Sequence, residues 1–177
     1  PAEAALARIG TTVAKYWNTK RCPSLVFEGL ECHGGPGYIE ESIMPRLYRE
    51  APINSIWEGS GNVMGLDVLR AMGREPEAIS AVLNELDKAR GNHPNLDQYI
   101  SHLRDELNDH QELEYRMRMV TEMLALALQG ALLTRYGQPE VAEAFCSTRL
   151  ALRYRGAFGT LPKGLNLDEI IERALPN

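Results

Sequence analysis

The chain is expected to be all-α, a helical bundle, and three features of the sequence carry that expectation. Apolar residues recur at steps of three and four along most of its 177 residues. Gly and Pro stand between those periodic stretches, where helices stop and start. No alternating apolar and polar run of useful length marks a strand.

Leu6, Ile9, Val13 and Tyr16 share one face of an opening helix, with Lys15 and Lys20 towards its C-terminal end, where positive charge suits the helix dipole. Pro23 fits the first turn of a second helix through Leu25, Val26, Phe27 and Leu30, which Gly34-Gly35-Pro36-Gly37 must break. A third helix is expected over Glu40 to Arg49, stopping short of Pro52. Val63, Leu66 and Leu69 or Arg70 restore helical spacing over Glu58 to Met72, with Gly73 as the stop. Helices then follow over Pro76 to Arg90, Asn95 to Asn108 and Gln111 to Tyr136, and Asn95 with Gln98 resembles a capping box. Pro139 opens another helix ending near Arg155. A short last one, Asp168 to Ala174, is expected to pack back over the bundle.

The Gln111 to Tyr136 segment is charged at first (Glu112, Glu114, Arg116, Arg118) and almost wholly apolar from Met123 to Leu133, so its later part is expected to be buried on most sides. No apolar run approaches the ~20 residues that span a bilayer. The first residues carry no secretory signal pattern, and since they begin without Met the sequence is expected to start inside a longer protein. Cys22, Cys32 and Cys146 make an odd count without CxxC spacing, which argues against a disulfide framework and for a reducing cytoplasm. A net charge of −5 disfavours a polyanion as the obvious partner.

Chemistry concentrates between Glu31 and Asn62. Three glycines in four positions mark backbone that turns sharply or is closely approached. About twenty residues on, Trp57-Glu58-Gly59-Ser60-Gly61-Asn62 sets an acid beside an aromatic and two glycines. A carboxylate there, with little bulk after it, can serve as a general base in a cleft; a solvated Glu in an ordinary turn is the plain alternative.

The order GGPGY, RLYRE, then WEGSGN resembles the last catalytic segment of acyl-CoA dehydrogenases, which read GGxGY, RLYRD and YEGT with a nearby Gln. The resemblance covers roughly residues 1–73. It implies FAD, an acyl-CoA substrate, and Glu58 as the catalytic base that removes the substrate's α-proton. It further implies that Gly34, Gly35 and Gly37 lie near the FAD adenosine and pyrophosphate across a subunit interface, and that Ser60 and Asn62 lie near the flavin. Arg46 and Arg49 match the RLYRD arginines, expected to pair with acids such as Glu50. Two positions depart from the pattern: Glu31 replaces a Gln, and Asn62 is shorter than the family's Gln.

The wording of the segment and the long C-terminal continuation are most similar to the AidB-type branch, linked to the adaptive response to alkylation. That similarity implies residues 74–177 as an additional helical region, tetrameric assembly, and DNA as a further partner. The alternative function is a DNA-associated or oligomerisation module with little dehydrogenase turnover. The middle β-domain that completes the family's cleft has no counterpart here, so the fragment alone is expected to be inactive, with the N-terminal and β-domains of the parent chain as its partners.

Arg149, Arg153 and Arg155 with Tyr154 form a basic stretch, although acids slightly outnumber bases after residue 100. His102, Asp105 and Asp109, with His110 adjacent, sit at helical spacing and are read as solvated rather than as a metal site. Cys32 and His33 are neighbours that point apart, and Cys146 among Val141, Phe145 and Leu150 reads as core.

Overall fold

The computed structural model describes residues 2–151 and 156–176, and among them every regular element is helical. In order these are α1 (Ala2–Cys32), α2 (Gly35–Tyr38), α3 (Met44–Glu50), a 3-10 turn (Ala51–Ser55), α4 (Gly61–Arg74), α5 (Pro76–Asp87), α6 (Pro94–Asn108), α7 (Leu113–Tyr136), α8 (Pro139–Arg149) and α9 (Leu167–Ala174). They divide into two compact units, residues 1–79 with 112–122, and residues 80–111 with 123–177. Arg153, Tyr154 and Arg155, the greater part of the basic stretch, lie outside the described residues.

The first unit is organised by α1, which packs on α4, on the 3-10 turn, on α3 and on α2. The predicted apolar face is the buried one: Ile9, Val13 and Tyr16 are within the core, joined by Thr12 and Trp17. Val68 and Ala71 of α4 are fully buried. Each large aliphatic side chain closed off in this way is worth roughly 1.5–3 kcal/mol.

Two expected helices are in fact one, because Pro23 lies inside α1. An interior proline lacks an N–H and costs about 3 kcal/mol or more. The helix survives because it is held on both sides of the break. Ahead of Pro23 is the buried Ile9–Trp17 face, and beyond it Gly29 is approached by Met44 so closely that a Cβ there would lie 3.1 Å from the methionine Cε. The third helix starts four residues later than expected, at Met44, with the buried Pro45 in its first turn.

A polar cluster ties α1 to α4. Arg8 donates to both oxygens of Asp67 (2.9 and 3.1 Å) and to Glu75 (3.1 Å), and the Thr12 hydroxyl adds a 2.9 Å bond to Asp67. The Arg8 hydrogen bond holds the Asp67 carboxyl below its ordinary range, against the opposing effect of burial.

In the second unit Leu96, Ile100, Leu103 and Leu107 form the buried stripe of α6, and Val82 and Leu86 that of α5. From Met123 to Ala127, and again at Gly130 and Ala131, α7 is buried, as its apolar composition requires; Leu132 remains 46% exposed. A Cβ on Gly130 would lie 2.8 Å from Leu150 and 3.0 Å from Leu96. The cap of α6 differs from expectation. With Pro94 at the first helical position the helix begins earlier, and His93 becomes the cap, its Nδ1 accepting from the Asn95 amide at 3.1 Å. The Asn95 side chain instead donates to the Cys146 carbonyl. Helix α8 ends at Arg149, short of the expected Arg155; Arg149 reaches the Ala157 carbonyl at 3.3 Å and its guanidinium lies over Phe158.

Cys146 is fully buried, as read from its neighbours, and burial pushes its thiol up to about 11, with Glu143 adding to the effect. Cys32 is exposed.

The Asp67 cluster predicts a pH-dependent defect. A carboxylate whose folded pKa is depressed contributes stability above its unfolded pKa of about 3.9, and loses it as pH falls through the folded value. Asp67→Asn is expected to lower stability by about 1–2 kcal/mol at pH 7, with the gap closing as the pH falls below the ordinary aspartate range, in urea titrations across that range. A constant gap across that range overturns the assignment. Iodoacetamide at pH 8 is expected to label Cys32 in the folded chain and Cys146 only after denaturant is added, as read by peptide mass spectrometry.

Candidate functional site

The segment that carries the motif lies in the first unit and is positioned from below by α1. Gly34 caps the single turn of α2 at φ 62°, and an added Cβ at Gly34 or Gly35 would meet nothing within 4 Å, so both present bare backbone to open space. Gly37 has another reason to be glycine. It is buried against the end of α1, where a Cβ would fall 2.2 Å from the Leu30 carbonyl oxygen. Next to this turn, Leu30, Tyr38, Ile39, Pro45 and Tyr48 line a cleft of about 440 Å³.

Arg46 pairs with Glu50 at 3.0 Å, as expected, whereas Arg49 pairs with Glu40 at 2.5 Å and 3.2 Å. Both pairs are exposed. That of Arg49 fastens the loop after α2 to α3 and lowers the Glu40 carboxyl below its ordinary range.

Glu58 is not helical. It stands in the loop between the 3-10 turn and α4 at φ 54°, in the left-handed region that costs a side-chain-bearing residue roughly 1–2 kcal/mol. Gly59 follows at φ 110°. The Glu58 side chain is exposed and has no hydrogen-bond or ion-pair partner among the described residues. Ile56 and Trp57, just before it, are 62% and 57% exposed.

Ser60 is the N-cap of α4, yet its hydroxyl makes no capping bond, so the first amides of a 14-residue helix open beside Glu58 without a side-chain acceptor. Asn62, in the first turn, accepts from Arg118 of α7 at 3.4 Å. Together with Leu66, Tyr115 and Met117 these two residues line a cleft of about 920 Å³. The six residues expected near the chemistry thus occupy two places, the glycine turn and the head of α4, both braced by α1.

Sequence reasoning missed Lys15. Its ammonium donates to the Trp57 carbonyl and to the Gly59 carbonyl, each at 2.7 Å, and so grips the backbone on both sides of Glu58. Lys20, one turn on, lies along Gly61. Their position within one helix gave no hint, because the partners are 42 and 44 residues away from Lys15. Glu122 of α7 is a second residue that the pattern did not mark: burial raises its pKa, against the pull of Arg21 and Arg118.

His102 sits 4.0 Å from Glu106, and Asp109 accepts from the Gln111 amide. Among the described residues no group of three or more His, Cys, Asp or Glu is arranged to hold a metal ion, and no helix is long and apolar enough to cross a membrane.

The family described as acyl-CoA dehydrogenase, C-terminal domain, matches residues 2–73. AidB of Escherichia coli (strain K12) is 39% identical over 151 residues, 85% of this chain and 28% of AidB. Acyl-CoA dehydrogenase family member 11 of Caenorhabditis elegans is 31% identical over 128 residues, 72% of this chain and 20% of that protein. Among solved structures, C. elegans ACDH-11 in complex with C11-CoA superposes with a TM-score of 0.73 at 28% identity, over 82% of this chain and 29% of that one. Bd2924 in its apo form gives 0.68 at 27% identity, over 78% and 27%. The chain therefore spans less than a third of the relatives it matches. It belongs to the acyl-CoA dehydrogenase family, whose C-terminal domain is carried by residues 2–73.

Proposed function

We propose that this chain is the C-terminal part of an FAD-dependent acyl-CoA-dehydrogenase-like flavoprotein, in which Glu58 is the base that removes the α-proton of a bound acyl-CoA. The observation that carries the reading is the state of Glu58: an exposed, unpaired carboxylate held in a left-handed turn beside the open head of α4. A residue kept in a costly conformation without a partner of its own marks a position shaped for use. Once the rest of a cleft closes over it, exclusion of water makes such a carboxylate a stronger base towards a carbon acid.

The residues available fit FAD. Gly34 and Gly35 leave backbone open to close approach, as a dinucleotide requires, and the uncapped first turn of α4, with the free Ser60 hydroxyl, offers donors to an electron-rich ring edge. Asn62 joins that set with its Oδ1 already shared with Arg118. FAD, when bound, supplies the acceptor for the substrate's β-hydride. Gly37 enters only as the tight contact that shapes the turn.

The exposed apolar side chains of the first unit support the need for partners. Leu25, Ile43, Ile53, Ile56 and Trp57 are each more than half exposed, a density that soluble surfaces seldom carry unless another protein surface covers them. The N-terminal and β-domains of the parent, and further subunits of a homotetramer, are the proposed cover. Residues 74–177 are then an added helical region, acting in the cytoplasm with the rest of the protein. A DNA-associated role stands as the second reading, and it rests on the AidB likeness. Arg149 is already engaged with Ala157 and Phe158, which leaves less of that basic stretch for phosphate.

The test uses the full-length parent, mixed anaerobically with a panel of acyl-CoAs. An acyl-CoA is expected to bleach the flavin, and Glu58→Gln is expected to slow that reduction by about a thousandfold while flavin content is kept. Equal rates in the two proteins remove Glu58 as the base. Flavin that no acyl-CoA reduces in either protein moves the DNA-associated reading ahead.

A further inference from the structure

We infer that Lys15 is a positioning residue for Glu58, acting through the backbone rather than on substrate. The inference rests on the reading of Glu58 as the base. Three observations carry it.

The first is the pair of contacts already described. One ammonium accounts for the carbonyls immediately before and after Glu58, both at 2.7 Å, a length typical of charge-assisted bonds. Two such bonds fix the peptide plane that enters Glu58 and the one that leaves Gly59, and so bracket the two-residue turn between them. The second is the conformation between those planes. Glu58 sits at φ 54°, which a side chain bearing a Cβ disfavours several-fold to about thirtyfold in population, so some other contact must hold it there. Within the loop itself the backbone bonds run from Ile56 and Trp57 to the Ile53 carbonyl and from Met64 to the Ser60 carbonyl, and none involves the Glu58 amide or carbonyl. The third is the foundation of Lys15. It lies between Val13 and Tyr16, both buried, on the stretch of α1 that packs against α4 and the 3-10 turn. Its stem is half-buried, so the ammonium starts from a fixed point.

A lysine suits this task better than a neutral donor. Its three N–H groups can serve two carbonyls at once, and its charge strengthens both bonds. A lysine that only stabilised the fold would affect stability and leave the rate per folded molecule alone. A lysine that positions the base changes the limiting rate and leaves substrate affinity nearly unchanged.

The experiment uses the full-length flavoprotein with Lys15→Met, Lys15→Arg and Glu58→Gln, and has two arms. In the first, anaerobic flavin reduction is followed over a concentration series of the acyl-CoA that reduces the parent fastest. Lys15→Met is expected to cut the limiting rate about tenfold with a half-saturating concentration within about twofold of the parent. Lys15→Arg, which can still reach two carbonyls, is expected to stay within about threefold.

The second arm needs no turnover: hydrogen exchange at the amides of Ile56, Trp57 and Met64, which report closure of the loop. Exchange is expected to quicken about five- to tenfold in Lys15→Met and to match the parent in Lys15→Arg. Should Lys15→Met fail to fold, Lys15→Gln, with a shorter neutral donor, is expected to lie between them in both arms. Unchanged exchange in the neutral variants overturns the clamp, whatever their rates. A neutral variant that opens the loop but keeps the parent's limiting rate overturns the positioning role. If Glu58→Gln reduces flavin at the parent's rate, or no acyl-CoA reduces the parent, the base reading fails separately and the exchange arm alone decides the clamp.

Discussion

Helix α1 has to run unbroken through Pro23, and the rest of the first unit depends on that. The α2 turn, α3, the 3-10 turn and α4 all pack on it. A kink at residue 23 would separate the half that carries Lys15 and the Asp67 cluster from the half that supports the glycine turn. An interior proline costs about 3 kcal/mol, which a helix in isolation cannot absorb. Here the cost is offset by burial on either side of it. Ile9, Val13, Tyr16 and Trp17 lock the N-terminal part, and Gly29 lets Met44 close on the C-terminal part. Pro23 reads as the start of a new helix in a one-dimensional scan, yet in the fold it lies within a continuous one. Tertiary contact overrides local propensity most readily where, as here, both sides of the weak point are pinned.

That also explains which parts of the fold were legible. Periodicity and composition revealed the buried face of α1, the presence of α5 and α6, and burial on most sides in the later part of α7, because each depends on the pattern within one segment. Boundaries were less legible where proline had two readings. Pro23 looks like a first-turn residue and is interior, while Pro94 looks like a loop residue and opens α6. Proline at either place satisfies the same φ restriction, and only the neighbours decide between them. The cap of α6 moved with that choice, from Asn95 to His93, whose ring nitrogen takes the amide that an Asx side chain would otherwise serve.

The candidate site was legible in part for a related reason. A motif names residues whose identity is demanded at one point in the chain, and Glu58 and the glycines are of that kind. Their reasons differ once geometry is known. Gly37 answers to the Leu30 carbonyl and Gly34 to its own positive φ, whereas Gly35 answers to nothing within the chain. Lys15 was invisible because its role is fixed by distance in space. No spacing rule connects a mid-helix lysine to carbonyls more than forty residues on. Residues that support a site through the backbone of another residue leave no local signature, so a reading of motifs alone undercounts them.

The polar contacts of the first unit divide by what they hold. The Arg8, Asp67 and Thr12 cluster joins two helices that already share a buried seam, so it adds stability to a contact that burial has specified. The Lys15 contacts join a helix to a loop that has almost no buried side chain of its own; Ile53, Ile56 and Trp57 all face outwards. In such a loop hydrogen bonds must do what packing does elsewhere, and a bond to charge is stronger than one between neutral groups. An exposed apolar loop with its backbone fixed from beneath can keep a carboxylate in place and still leave its outer face free to be covered. Both conditions are needed if the surface that completes the cleft comes from another domain or subunit. A loop that collapsed inwards to bury Ile56 and Trp57 would meet neither.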